Sequence, residues 1–520
     1  MLEKMTLREK IGQMIMAGFP ASNISPEYKR LVEEYKIGNT ILFSHNIETS
    51  SQVRKLCSEL TELIENNTGY QPFIAVDQEG GMVTRLPRDA TIFPGAMAIA
   101  ATVDPVNAYR AGHATGRELG ALGINVNMAP VLDINSNRNN PVIGVRAFGD
   151  SKEQVSGFGM EMMKGLIDAQ VLPIIKHFPG HGDTAVDSHI GLPVIDKSLS
   201  ELMSNEIVPF HNAINNGAEA VMTSHILFPQ IENNNKPATM SHRIITGLLR
   251  QQLGFEGLVF SDCLEMDAVK KYYGTAKGAL EAVKAGVNIV CISHTPELVE
   301  QAVKLMEEAV QSGELPVETI DKSVKKIIAF KRKYHADGYG GDDIAIVGCP
   351  GHKALAADIR EKSITSVGAK GRGIPPVDSN TLFIGSYAGR STLASSSADK
   401  SFSFPEYMAR EFDGQFLLTS VNPTAEEIKE VLEKAEGHKT VVYGTYNGHL
   451  NPGQLELVNR LCGNNENVIA VALRNPYDLG SIDERAYKLA AYEYTTQIFD
   501  ILSEIFKGSI IPAGKLPVDI

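Results

Sequence analysis

The chain has 520 residues, 43% of them hydrophobic and 21% charged, a globular balance with too much sequence for one ordinary core. Its 49 Lys and Arg against 62 Asp and Glu leave a formal net charge of −13, which argues against nucleic acid or an anionic membrane surface as the main partner. Cys57, Cys263, Cys291, Cys349 and Cys462 are scattered, odd in number and without CxxC spacing, so free thiols in a reducing compartment account for them. The N-terminus is charged where a signal peptide needs an apolar centre, and no run of about 18 apolar residues occurs. A cytoplasmic protein is the expectation.

In chain order, apolar runs at 14–19, 40–43, 73–76, 124–128, 171–175, 220–223, 258–260 and 287–292 predict strands. Amphipathic stretches at 51–66, 105–122, 152–169, 199–216, 244–253 and 275–285 predict helices between them. Eight strands alternating with helices predict an α/β fold whose N-terminal part, residues 1–334, is a (β/α)8 TIM-like barrel. A helix at 318–334 is followed by residues 335–343, with three glycines and three aspartates, which reads as a linker. Residues 344–520 start a new α/β series, with strands at 381–385, 440–443 and 468–473 and helices at 425–435, 453–462 and 495–506. A C-terminal three-layer α/β/α sandwich fits that order. It carries a Ser/Thr-rich loop at 391–397 but no GxGxxG and no Walker motif, so no nucleotide cofactor is expected.

One stretch dominates the chemistry: Lys176-His177-Phe178-Pro179-Gly180-His181-Gly182-Asp183-Thr184-Ala185-Val186-Asp187-Ser188-His189. It follows the fifth apolar run, so Lys176 and His177 are expected at a strand end and His181 to His189 on a loop. In a barrel the active face is built from the C-terminal ends of the strands. At those positions stand Asp77-Gln78-Glu79-Gly80-Gly81 with Arg85, then Asn139 to Arg146, Lys176 and His177, Ser224 and His225, and Ser261 and Asp262. A ring of this kind suits a small polyhydroxylated ligand, because carboxylates accept from hydroxyls while Lys and Arg donate. Metal binding competes for His177, His181, Asp183, Asp187 and His189, but zinc spacings such as HExxH are absent and Lys176 would add an opposing charge, so no metal is expected. Asp262 reads either as a nucleophile or as the N-cap of a helix at 264–272.

These residues resemble a family. The Lys176–Gly182 run with Asp187-Ser188-His189 is similar to the signature of bacterial β-N-acetylglucosaminidases of glycoside hydrolase family 3, in their two-domain form. Asp77–Gly81, Gly144-Val145-Arg146-Ala147-Phe148-Gly149 and Ser261–Met266 match further blocks in order, and Pro512–Pro517 is similar to the tail of the longer members. The resemblance implies a retaining mechanism with Asp262 as nucleophile and His189 as acid/base, oriented by Asp187 on a loop expected to swing over bound substrate. It implies that Asp77, Arg85, Arg146, Lys176 and His177 line the sugar subsite. His225 is either a ligand contact or a satisfied strand-end histidine, and Met266 packs beside the sugar or in the core. His181 and Asp183 brace the loop.

The implied activity is removal of terminal β-linked GlcNAc from cell-wall (GlcNAc-MurNAc) or chitin-derived fragments, as in peptidoglycan recycling. The implied partner is a small carbohydrate, with no nucleic acid, membrane or cofactor, and the protein is a monomer or homodimer. A β-N-acetylglucosaminide phosphorylase is the second enzyme reading, because a histidine base does not repel phosphate as a carboxylate does. A non-catalytic sugar-binding barrel is the third.

Overall fold

The computed structural model describes residues 4–188, 191–335, 343–368, 371–389 and 401–520. The segments Ile15–Ala17, Asn39–Leu42, Phe73–Val76, Val126–Asn127, Leu172–Pro173, Ile175–Phe178, Ala220–Thr223, Leu258–Cys263 and Ile289–Ile292 form one parallel sheet. Pairing runs both ways from Ile15–Ala17 and ends at Leu172–Pro173 on one side and Ile175–Phe178 on the other. These two ends are consecutive in the chain, with Ile174 alone between them, so the sheet wraps into the expected (β/α)8 barrel. Parallel strands with helices outside and packed side chains inside must be apolar on both faces. Every residue of the barrel strands is buried except Asp262 and Cys263, which are half-buried.

The fifth strand departs from expectation. Pro173 has no N–H for the ladder, and the strand breaks beside it. Leu172–Pro173 pairs with Val126–Asn127, whereas Ile175–Phe178 pairs with Ala220–Thr223. A bridge between Val131 and Lys176 links the second half to the chain just past Val126–Asn127. Lys176 and His177 therefore lie inside the second half of the strand rather than beyond its end. The helix expected at 199–216 is two helices, Leu199–Ser204 and Val208–Asn215, with Pro209 in the first turn of the second, where its missing N–H costs nothing. The helix expected at 264–272 shortens to Asp267–Lys270, because Asp262 and Cys263 stay in the strand and the Leu264 N–H bonds the Cys291 carbonyl at 2.9 Å.

A second sheet runs Thr365–Val367, Tyr487–Ala490, Asn467–Ala472, Thr440–Thr445, Thr381–Gly385, Gln415–Leu418, parallel except for the first pair. Alternate residues feed two cores. Leu382, Ile384, Val441 and Tyr443 pack with the helices Ala425–Ala435 and Pro452–Asn464, whereas Phe383, Val442, Ile469 and Val471 pack with Phe404–Phe412 and Thr496–Phe506. This is the expected three-layer sandwich. The strands Thr365–Val367, Gln415–Leu418 and Tyr487–Ala490 and the helices Pro350–Ser363 and Phe404–Phe412 were not anticipated; the first two are short edge strands that are not fully buried, and Tyr487–Ala490 is interior and buried but too short, and interrupted by Lys488, to give an apolar run. The Ser/Thr-rich loop and residues 336–342 of the expected linker lie outside the described residues.

The two units are packed together. Arg360 donates to Glu493 at 2.9 Å and to the Ile92 carbonyl at 2.7 Å, and Asn135 donates to the Tyr477 hydroxyl at 2.5 Å. Barrel residues Met97, Ala98, Ala101 and Val145 belong to one of the sandwich cores. No described helix is long and apolar enough to cross a membrane.

Candidate active site

The C-terminal ends of the barrel strands surround a cavity of about 620 Å³. Asp77, Arg85, Arg146, Lys176, His177, Asp262 and Met266 all line it. On one wall the charges form a closed network. Arg146 grips Glu79 with two parallel bonds, Nε–Oε2 at 2.8 Å and Nη2–Oε1 at 2.7 Å. The Lys176 ammonium lies 2.7 Å from Glu79 Oε1 and 2.7 Å from Asp77 Oδ1. Two cations thus face two carboxylates, a pairing that buried charges require.

Burial alone would raise the Glu79 pKa, but Arg146 and Lys176 outweigh it and hold the carboxyl well below its usual range. Burial would likewise lower the Lys176 pKa, and Asp77 and Glu79 reverse that, keeping the ammonium charged. Asp77 is the member most open to the cavity, with 21% of its side chain exposed.

Behind the wall, the carboxylate of the buried Asp133 organises the glycine-jointed loop. It accepts from the His177 and His181 backbone N–H groups at 3.1 and 2.7 Å and sits 2.7 Å from His177 Nδ1. His177 presents its other face to the cavity. His181 is pushed down to about 4 by burial, with His177 and Arg146 adding to it, so it is neutral near pH 7. Its ring nitrogens sit 2.9 Å from Thr184 Oγ1 and 3.2 Å from Ser188 Oγ, and Asp183 pairs with Lys197 at 2.6 Å. His181 and Asp183 therefore brace the loop. The candidate metal ligands His177, His181 and Asp183 are committed to separate protein partners.

Asp187 is buried, and its carbonyl accepts from the Gly191 N–H at 3.0 Å. The next carbonyl, of Ser188, accepts from the Ala268 N–H at 3.3 Å, which ties the loop to the segment just past Asp262. His189 lies outside the described residues.

Asp262 does not cap a helix. The helix that follows begins at Asp267, after Met266, and Asp262 Oδ1 instead accepts from the Cys263 N–H at 2.7 Å. Cys263 also lines the cavity, but burial pushes its thiol up to about 11, so it stays protonated and is a poor nucleophile beside the carboxylate. His225 stands behind this strand. Its Nδ1 is 2.8 Å from Thr239 Oγ1 and its Nε2 is 3.0 Å from the Cys263 carbonyl, so it steadies the Asp262–Cys263 turn from outside the cavity. Met266 is buried, 7% exposed, and borders the cavity.

Several residues here were not singled out in the sequence. Glu79 sits inside the Asp77–Gly81 motif, but its partner Arg146 is 67 positions away. Asp133 carries no local signal. Phe43 and His294 stand just past strand ends, where the rim rule would have found them, and their rings meet at 4.8 Å on the cavity wall. The His294 N–H donates to Glu265 there at 2.6 Å.

Comparison with known proteins agrees with this architecture. Residues 6–330 match the model of the glycosyl hydrolase family 3 N terminal domain. The chain is 35% identical over 389 residues to β-hexosaminidase A of Pseudoalteromonas piscicida, covering 70% of this chain and 64%, just under two thirds, of that one. It is 34% identical over 294 residues to a β-hexosaminidase of Neisseria meningitidis, covering 55% of this chain and 80% of that one. Among solved structures it is similar to a glycoside hydrolase family 3 β-N-acetylglucosaminidase from Paenibacillus sp. str. FPU-7, with 36% identity, a TM-score of 0.90 and 99% of both chains covered. With a barrel matched along nearly its whole length and a cavity at the strand ends that its polar residues line, the chain belongs to glycosyl hydrolase family 3.

Proposed function

We propose that the protein is a retaining exo-β-N-acetylglucosaminidase. The observation that carries the reading is the placement of Asp262, one of two barrel-strand residues not buried, in the same cavity as the Asp77–Lys176–Glu79–Arg146 network. That network offers carboxylate oxygens and cationic N–H groups to the hydroxyls of one sugar ring. The names of the hexosaminidase relatives support GlcNAc as that sugar.

In the first step the Asp262 carboxylate attacks the anomeric carbon as the glycosidic C–O bond breaks, leaving a covalent glycosyl ester. The leaving oxygen takes a proton from the imidazolium of His189. Asp187 orients that ring and stabilises its charged form. In the second step the neutral imidazole removes a proton from water, whose oxygen displaces Asp262 and restores the starting configuration. The tether from Ser188 to Ala268 supports this assignment, because it brings the chain just before His189 beside the segment carrying Asp262. Terminal GlcNAc on cell-wall or chitin-derived fragments is the proposed substrate. The five free cysteines agree with action in a reducing, cytoplasmic setting.

The test compares 4-nitrophenyl β-N-acetylglucosaminide with 4-nitrophenyl β-glucoside, each with and without phosphate, and identifies the sugar product. Free GlcNAc at equal rate in both buffers is expected. A sugar phosphate would make the protein a phosphorylase, and no product from either glycoside would leave a sugar-binding barrel.

A further inference from the structure

Among the described residues none of the sandwich unit lines the cavity, yet one of its loops reaches the loops that carry Glu79 and Arg146. The segment 474–478 follows the strand Asn467–Ala472. The Tyr477 hydroxyl, on a side chain 3% exposed, accepts from Asn135 Nδ2 at 2.5 Å. Asn135 is the clasp of the loop that ends in Arg146. Its Oδ1 accepts from the Gly144 N–H at 3.1 Å, and its own N–H bonds the Gly149 carbonyl at 3.0 Å. Gly144 has a φ of +48°, and a Cβ there would stand 2.6 Å from Asn475 Oδ1, so the loop is seated directly on Asn475. Val145, the residue before Arg146, packs into the sandwich core.

The other charged loop is held in the same way. Glu493 of the sandwich accepts from the Gly95 N–H at 3.2 Å, and the neighbouring Phe93 carbonyl accepts from the Gly81 N–H at 2.9 Å, two residues past Glu79.

We propose that Tyr477 and Asn475 are positioning residues for Arg146, so that this part of the sandwich unit sets the geometry of the sugar subsite from behind the cavity wall. The inference rests on the reading of Arg146 as part of that subsite. The argument is geometric. A bidentate guanidinium–carboxylate pair is directional, and side chains that orient a substrate lose binding when displaced by a fraction of an ångström. The Arg146 side chain leaves a loop of fifteen residues, 135–149, whose two ends are joined by the bond from the Asn135 N–H to the Gly149 carbonyl. Removing the Tyr477 hydroxyl leaves a buried Asn135 donor unpaired and loosens that closure.

The experiment is a double-mutant cycle with 4-nitrophenyl β-N-acetylglucosaminide, using Tyr477→Phe, Arg146→Ala and the pair. Tyr477→Phe is expected to lower kcat/KM by roughly 5- to 50-fold, mainly through KM, and to add little in the Arg146→Ala background. Tyr487→Phe is the matched control. Its hydroxyl meets Ser366 Oγ of the edge strand Thr365–Val367 at 3.2 Å, with no bond to the 135–149 loop among those described, and its kinetics should stay those of the wild type. If Tyr477→Phe does not fold, Asn475→Ala takes its place with the same expectations. Wild-type kinetics for the variant, an equal loss in both backgrounds, or an equal loss in Tyr487→Phe would overturn the proposal. If Arg146→Ala itself leaves KM unchanged, the subsite reading fails first.

Discussion

Replacing Glu79 by Gln tests the charge network most directly. The change is nearly isosteric, but it removes the one anion that both Arg146 and Lys176 touch, at 2.7 Å each at closest approach. The three side chains are 6%, 4% and 2% exposed, so solvent cannot replace the lost charge. At an effective dielectric near 20, each pair at about 4 Å between charge centres is worth about 4 kcal/mol. The desolvation cost that Glu79 no longer bears offsets part of the two pairs. Removing one partner from a buried pair destabilises by about 3–5 kcal/mol, and we take that as the expected loss.

For a chain of this size, that loss should move the urea midpoint of the barrel down by about 1 M. The freed cations should also gain affinity for anions, so phosphate should become a competitive inhibitor of Glu79→Gln at concentrations that leave the wild type untouched. The pH dependence has a fixed sign. The folded Glu79 carboxyl ionises below the unfolded value of 4.5, so its contribution is present above that value and is lost only as pH falls through the folded one. The network should therefore be constant between about pH 5 and 8, and the gap in stability between wild type and variant should be flat over that range. A midpoint unchanged from wild type, together with a KM within a factor of two, would refute the view that the charges are coupled.

Asp262→Ala should abolish turnover of every glycoside whatever its leaving group, and kcat on an activated aryl glycoside within about tenfold of wild type would remove the nucleophile from the mechanism. General acid help contributes roughly 10²–10⁴-fold and matters most for poor leaving groups. His189→Ala and Asp187→Ala should both cost far more on a natural disaccharide than on an aryl glycoside; equal losses across leaving groups of graded acidity would place the proton donor elsewhere. The basic limb of the wild-type pH–rate profile should report loss of an imidazolium proton near neutrality. Activity should survive exhaustive chelation, and a loss under EDTA that Zn²⁺ restores would show that a metal takes part.

By itself the sequence determined which runs become strands and which residues follow them. Parallel barrel strands are buried on both faces, so each appears as a mostly apolar run, and the polar residues at or after its end mark the rim. That logic placed Asp77, Arg146, Lys176, His177 and Asp262 at the strand ends, and all five line the cavity. It had no means to pair Glu79 with Arg146, or to find Asp133 behind His177, 44 positions away. It split neither the fifth strand nor the helix at 199–216, because apolar pattern alone does not register one missing ladder N–H. Nor did it assign the sandwich a task, since the contact between Asn135 and Tyr477 spans 342 positions.

These features were decided by tertiary structure for one physical reason. A strand's apolarity is a property of its own residues, whereas a buried charge or a loop's seat is satisfied by whatever partner closure of the barrel and docking of the sandwich bring within about 3 Å.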